Sequence, residues 1–250
     1  MRLLSTIITL SIILSGCTSI SEKGLTSYVN PFLGTATLWE PEDLGYVRTW
    51  EERTWGAEVF PGSSLPNAMV QLSPVTQFRS GAGYQYEDTV IFGFAHTNKG
   101  HWNLLHLPVL PVTGDVNPTD FASEYSHENE SAHPGYYQVF LERYGINAEL
   151  TSTLRSGYHK YSYNDGSDKK LIVDITRTNN RVRDWAIEKS GDYSFTGFQD
   201  AEGKIYFFAV SNYPIDEIEQ VKNDQHEVSV VKFGNNGKNN PIQIRNISPI

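Results

Sequence analysis

Between residues 136 and 233 the chain is cut into short, strand-length runs by clusters of Gly, Asn and Asp, and this punctuation constrains the fold more than any other feature. Residues 136–141 (YYQVFL) form one run. Residues 147–154 (NAELTSTL) alternate: Ala148, Leu150 and Leu154 fall on one side, with the small Ser152 among them, and Glu149, Thr151 and Thr153 fall on the other. Successive side chains of a strand point to opposite faces, so such a run builds a half-buried strand. Gly145, between Tyr144 and Ile146, stands where a hairpin turn would join 136–144 to 146–154. Residues 159–163 (HKYSY) alternate again and end at Asn164-Asp165-Gly166, a turn sequence. Residues 171–175, 204–210 and 226–233 are further β-rich runs. Turns recurring this often predict an all-β domain, a sandwich or a barrel. The only segment that reads as helical is a short one over 216–221, and no internal repeat is present.

The 250 residues suffice for one large β domain or two small ones. Aromatic residues make up 12%, including 14 Tyr and 5 Trp, which suits a β protein and a carbohydrate partner. The net charge is −9 and no basic run exceeds the pair Lys169 and Lys170, which argues against a nucleic-acid partner.

The N-terminus reads as a secretory signal over residues 1–17. Arg2 is a short positive region, residues 3–14 are apolar apart from Ser and Thr, and Leu14-Ser15-Gly16-Cys17 follows. The apolar stretch is too short to span a bilayer as a helix. Its ending resembles a bacterial lipobox, in which the cysteine carries lipid. Cys17 is the only cysteine, so no intrachain disulfide can form. Residues 18–27 would be a tether, and the protein would sit in the bacterial cell envelope as an outer-membrane lipoprotein held by its acyl chains.

Residues 93–107 (GFAHTNKGHWNLLHL) concentrate chemistry that a core strand does not need: three His, one Lys, one Trp and two Asn. A Trp face stacks on a sugar ring, and His, Asn and Lys bond its hydroxyls. The expected substrate contacts are His96, Thr97, Asn98, Lys99, Gly100, His101, Trp102 and Asn103. Lys99 and His101 are costly to bury unpaired and so face a site. His106 reads as structural, and His96 either bonds a sugar hydroxyl or a loop carbonyl. His96, His101 and His106 are spaced by five residues, which suits no strand or helix face, so no zinc site is expected. Residues 38–62 carry three Trp and five Glu without alternation. They read either as a ligand-contacting loop or as an Ω-loop pinned by its own aromatics. Glu58 is the best hydroxyl ligand there, with Trp55 nearby. Glu51 and Glu52 are adjacent and would point apart on an extended chain, which argues against a catalytic pair. Glu124, His127, Glu128 and Glu130 read as a solvated acidic loop. No Ser-His-Asp pattern, P-loop or dinucleotide fingerprint is present.

Several of these strings, in order, resemble glycoside hydrolase family 92, secreted calcium-dependent bacterial exo-α-mannosidases. They begin with Tyr28-Val29-Asn30-Pro31-Phe32-Leu33-Gly34-Thr35. Phe60-Pro61-Gly62-Ser63-Ser64-Leu65-Pro66 and Met69-Val70-Gln71-Leu72-Ser73-Pro74 follow. Gly83-Tyr84-Gln85-Tyr86 and Ile91-Phe92-Gly93-Phe94-Ala95-His96-Thr97 come next, then Tyr125 to Ala132 and Pro134-Gly135-Tyr136-Tyr137. Glu149-Leu150-Thr151, Arg155 and Gly157-Tyr158-His159 complete the match, which extends from about 28 to about 235. Of the site residues, the resemblance carries His96, Thr97 and Gly100; the others rest on their chemistry. Many members have a His-Thr-His-Leu-Ser-Gly-like segment where this chain has His96-Thr97-Asn98-Lys99-Gly100, which sets it with a subgroup.

The resemblance implies a large antiparallel β-sandwich over 28–245, followed in the intact enzyme by an (α/α)6 barrel. That barrel would supply general acid, general base and calcium ligands for inverting hydrolysis of α-mannosides. No catalytic residue, metal ligand or cofactor is therefore expected from this chain itself, and residues 246–250 read as a truncated tail. The expected partners are mannose-containing glycans and the catalytic barrel. The alternatives are a stand-alone surface glycan-binding lipoprotein and an inactive remnant.

Overall fold

A computed structural model describes residues 24–36, 45, 58–98, 104–164, 168–234 and 241–247. Among them, regular structure is β apart from three short 3₁₀ turns. One sheet has seven strands. In spatial order they are β1 (Ser63–Ser64), β2 (Gln71–Val75), β4 (Gly93–Ala95), β5 (Val109–Val112), β11 (Lys170–Val173), β16 (Glu227–Phe233) and β15 (Ile215–Lys222). The other has eight: β12 (Asp184–Gly191), β13 (Ser194–Asp200), β14 (Lys204–Ser211), β17 (Ile242–Ile247), β10 (Gly157–Tyr163), β9 (Ile146–Ser152), β8 (Tyr136–Leu141) and β7 (Glu130–His133). A two-stranded ribbon joins β3 (Val90–Ile91) to β6 (Ser123–Glu124). The strand pairs are antiparallel, as a sandwich of hairpins and longer crossings requires.

The alternation works as the sequence predicts. On β8, β9 and β10 the inward residues are Tyr137, Val139 and Leu141, then Ile146, Ala148 and Leu150, then Gly157, His159 and Tyr161. They meet Leu72, Phe94, Val109, Leu110, Leu171 and Val230 of the facing sheet in one core. Each fully buried aliphatic or aromatic side chain contributes about 1.5–3 kcal/mol. Gly157 is required by the closeness of the sheets: a Cβ there would lie 2.9 Å from Leu72 Cδ2. Strands β5 and β11 are buried on both faces, which is why β5 and residues 171–173 of β11 read as unbroken apolar runs.

Residues 216–221 are not helical but belong to β15. The three-residue spacing of Ile215, Ile218 and Val221 imitates a helical stripe. The register shifts between Ile215 and Glu217, however, and pairing with β16 draws the segment into an edge strand. Leu154 does not join the inner face: β9 ends at Ser152 and Leu154 is 54% exposed. Strands β12 and β13 carry little sequence signal, because β12 is an exposed edge strand. The last strand continues through Ile247, two residues past the expected sandwich boundary.

Candidate functional site

Three of the expected sugar contacts, His96, Thr97 and Asn98, leave the end of β4, and the structure turns all three side chains into the protein. His96 is 1% exposed. Its Nδ1 lies 2.7 Å from the carbonyl oxygen of Leu107, and its Nε2 lies 2.9 Å from Nε2 of His159. The hydroxyl of Tyr161 lies 2.8 Å from Nδ1 of His159. The protons in this chain follow by elimination. A carbonyl only accepts, so His96 Nδ1 donates to Leu107. With the ring neutral, His96 Nε2 then accepts from His159 Nε2–H, and His159 Nδ1 accepts from the Tyr161 hydroxyl. Burial supports the neutral rings. It lowers His96 to about 4, against the opposing pull of the Leu107 carbonyl, and holds His159 well below the usual imidazole range, with the His96 charge adding to the effect. The chain crosses from the β4–β5 connection to β10 and thereby ties the two sheets together.

Thr97 Oγ1 accepts from the His106 backbone N–H at 3.1 Å and pairs with His106 Nδ1 at 2.8 Å. Burial lowers His106 to about 4. The Asn98 side-chain amide donates to the Ala82 carbonyl at 2.5 Å and to Ser73 Oγ at 3.3 Å, while its backbone N–H donates to Gln71 Oε1. Backbone bonds from His96 to His106 and from Leu105 to Thr97 close the base of the connection. Leu105 and Leu107 have φ of 47° and 52°, in the left-handed region. Gly83, at φ 79°, leaves room for Leu105, whose Cδ1 would lie 2.7 Å from a Cβ there. The β4–β5 connection is therefore fixed at both roots. Lys99, Gly100, His101, Trp102 and Asn103, which lie between those roots, are outside the described residues, as are Trp55, Glu51, Glu52 and residues 1–23 with Cys17.

Glu58 is half-buried, with φ 54°. Its side chain packs on Gly81, where a Cβ would approach its Cγ and Cδ at 3.0 Å. It lines a void of about 10 Å³ with Gly34, Thr35, Val59, Ala82, Tyr84 and Gln85, room for about one water and not for a sugar. The structure brings Glu58 and Asn98 onto one segment, the first against Gly81 and the second bonded to Ala82.

The expected solvated acidic loop is corrected at one position. The Glu130 side chain is 1% exposed and accepts from Tyr137 at 2.6 Å and from Tyr84 at 3.0 and 3.1 Å. His127 Nδ1 lies 2.6 Å from it, and the His127 ring stacks on Tyr86. Burial, then the Glu130 charge, raises the Tyr84 and Tyr137 phenols. A carboxylate at the start of β7 was not identifiable as buried from its neighbours in sequence, because only His127 is local and the two phenols that cover it come from Tyr84 and from β8.

The glycosyl hydrolase family 92 N-terminal domain matches residues 28–245. Among solved structures, the chain is similar to the family GH92 alpha-mannosidase BT3965 from Bacteroides thetaiotaomicron in complex with mannoimidazole, at 24% identity and a TM-score of 0.75, over 90% of this chain and 32% of that one. It is also similar to the family GH92 inverting mannosidase BT2199 from Bacteroides thetaiotaomicron VPI-5482, at 20% identity, a TM-score of 0.71, and 90% and 32% coverage. The GH92 family glycosyl hydrolase ccman5 matches at 20% identity, a TM-score of 0.70, and 89% and 32% coverage. No curated protein matches by sequence. The chain spans about a third of the length of these structures, and the likeness establishes the fold.

Proposed function

The chain belongs to glycosyl hydrolase family 92 as its N-terminal domain, and on that premise we propose that it completes, from one side, a mannose-binding site at the contact with a catalytic (α/α)6 domain. The observation that carries this reading is the anchoring of the β4–β5 connection. Three consecutive side chains, His96, Thr97 and Asn98, fix its outgoing root in the core, and His106 and Leu107 fix the returning one. Their task is positioning: with both ends of the connection anchored, Lys99, His101, Trp102 and Asn103 between them would meet a sugar at lower entropic cost. Glu58, held against Gly81 beside the same segment, would add a hydroxyl acceptor.

In this proposal the chemistry is inverting hydrolysis of an α-mannoside, with acid and base on the partner domain. Calcium takes six to eight oxygen ligands. In this proposal any calcium would be held by the domain that carries the acid and base; among the described residues no group of three His, Cys, Asp or Glu could hold a metal ion. Residues 1–17 would direct export and lipidation at Cys17, placing the protein in the cell envelope.

The test is a titration of the isotope-labelled protein with α-mannobiose, followed by amide chemical shifts. Saturable changes over residues 96–107 and at Glu58, weakened about tenfold or more in Trp102→Ala, are expected. Binding unaltered in both Trp102→Ala and Glu58→Ala would overturn the site. Release of mannose by this chain alone would overturn the assignment of acid and base to another domain.

A further inference from the structure

A cleft of about 370 Å³ lies apart from the residues discussed above. Phe92, Phe121 and Arg177 line it, with residues 118–122 on one side and Gln225 and His226 on the other. It shares no lining residue with the β4–β5 connection or with Glu58. Its organising group is Asp174, whose side chain is 1% exposed. One oxygen of Asp174 accepts from Arg177 Nε at 2.8 Å and from Nη2 at 2.7 Å, and the other lies 2.8 Å from His226 Nε2. A buried carboxylate with both oxygens used in this way orients two basic side chains. Arg177 Nη1 and His226 Nδ1 have no protein partner among the described residues. The guanidinium carbon also lies among three rings, 4.3 Å from the centroid of Phe78, 5.5 Å from Phe92 and 5.7 Å from Phe121. Its orientation is therefore set twice, by the ion pair and by the aromatic cage.

The charges around the cleft cancel. Arg177 is matched by Asp174, and Asp120 on the lip is matched by Arg143 through bonds of 2.9 and 3.3 Å. An anionic ligand gains no fixed net charge here. What the cleft offers is an aromatic wall with preset donors and acceptors, at the lower end of the roughly 300–1,000 Å³ range of small-molecule sites. That combination suits a single polyhydroxylated ring, whose C–H face stacks on an aromatic side chain while its hydroxyls both donate and accept. We propose that this cleft is a separate carbohydrate site that takes one neutral monosaccharide ring against Phe92, with hydroxyls on Arg177, His226 and Gln225. The proposal stands independently of the interface site.

The experiment is an amide chemical-shift titration of the whole chain with methyl α-mannoside, methyl β-galactoside and, as the anionic control, glucuronate. A neutral glycoside is expected to give saturable shifts at Thr119, Ala122, Gln225 and His226, with a Kd on the order of 1–10 mM, and glucuronate is expected to bind more weakly. Ala122→Trp, which fills the cleft, should abolish these shifts while leaving those at residues 96–107 unchanged. Gln225→Ala, at an exposed position free of packing cost, should weaken binding about threefold and serves if the Trp variant does not fold. No saturable shift at these residues up to about 50 mM of either glycoside, shifts that persist in Ala122→Trp, or tighter binding of glucuronate would each overturn the proposal.

Discussion

At the scale of single residues, the buried run Tyr161–His159–His96–Leu107 carries the sharpest consequence. The two histidines each join two partners in a fixed proton order, so His159→Phe removes the donor to His96 Nε2 and the acceptor of the Tyr161 hydroxyl together. Leaving two polar groups buried and unpaired should cost about 2 kcal/mol or more, read as a lower urea midpoint with the slope unchanged. The same residues set a pH dependence. His96 is near 4 in the folded state and near 6.5 when unfolded, and His159 is lowered in the same direction. Above pH 6.5 neither state takes up the proton, so the full stability is present. Between about 6.5 and 4 the unfolded chain binds protons that the folded chain refuses, so stability falls as the pH falls. The urea midpoint should drop between pH 7 and pH 5, and by less in a His96→Gln/His159→Gln variant. An equal drop in both proteins would remove these histidines as the cause. In sequence, His96 was legible only as a residue facing either a sugar or a carbonyl. Leu107 lies 11 residues away, but His159 lies 63 residues away and nothing local points to it.

At the scale of elements, the hairpin of β8 and β9 was legible because its alternation and Gly145, at φ 61°, are local features. Strand β15 was misread because three-residue apolar spacing is shared by a helix and by a bulged edge strand. Glycines at sheet contacts are likewise silent in sequence. Gly157→Val should cost about 1–3 kcal/mol by overpacking against Leu72. Because the clash is with a side-chain methyl rather than backbone, adding Leu72→Ala should recover part of the loss. A double-variant cycle by urea unfolding checks this, and strict additivity would place the strain elsewhere.

At the scale of the whole molecule, the chain has the fold of the glycosyl hydrolase family 92 N-terminal domain, and the positioning of the β4–β5 connection for a partner domain is the role proposed for it. The proposed envelope placement makes a separate prediction. Cys17→Ser should move the protein from the membrane fraction to the soluble fraction and remove the acyl mass from the intact protein. A variant that stays in the membrane fraction with unchanged mass would sink the lipoprotein assignment. The β class, the family and the chemistry-rich segment at 93–107 could all be read from the sequence, because period-two alternation, turn residues and motif order are properties of neighbouring residues. Only the tertiary structure decided that His96 meets His159, that Glu130 is buried under Tyr84 and Tyr137, and that Asp174 joins Arg177 to His226. Those partners are set by which strands lie side by side and how the two sheets face each other, and the register that sets them is cooperative over the whole domain.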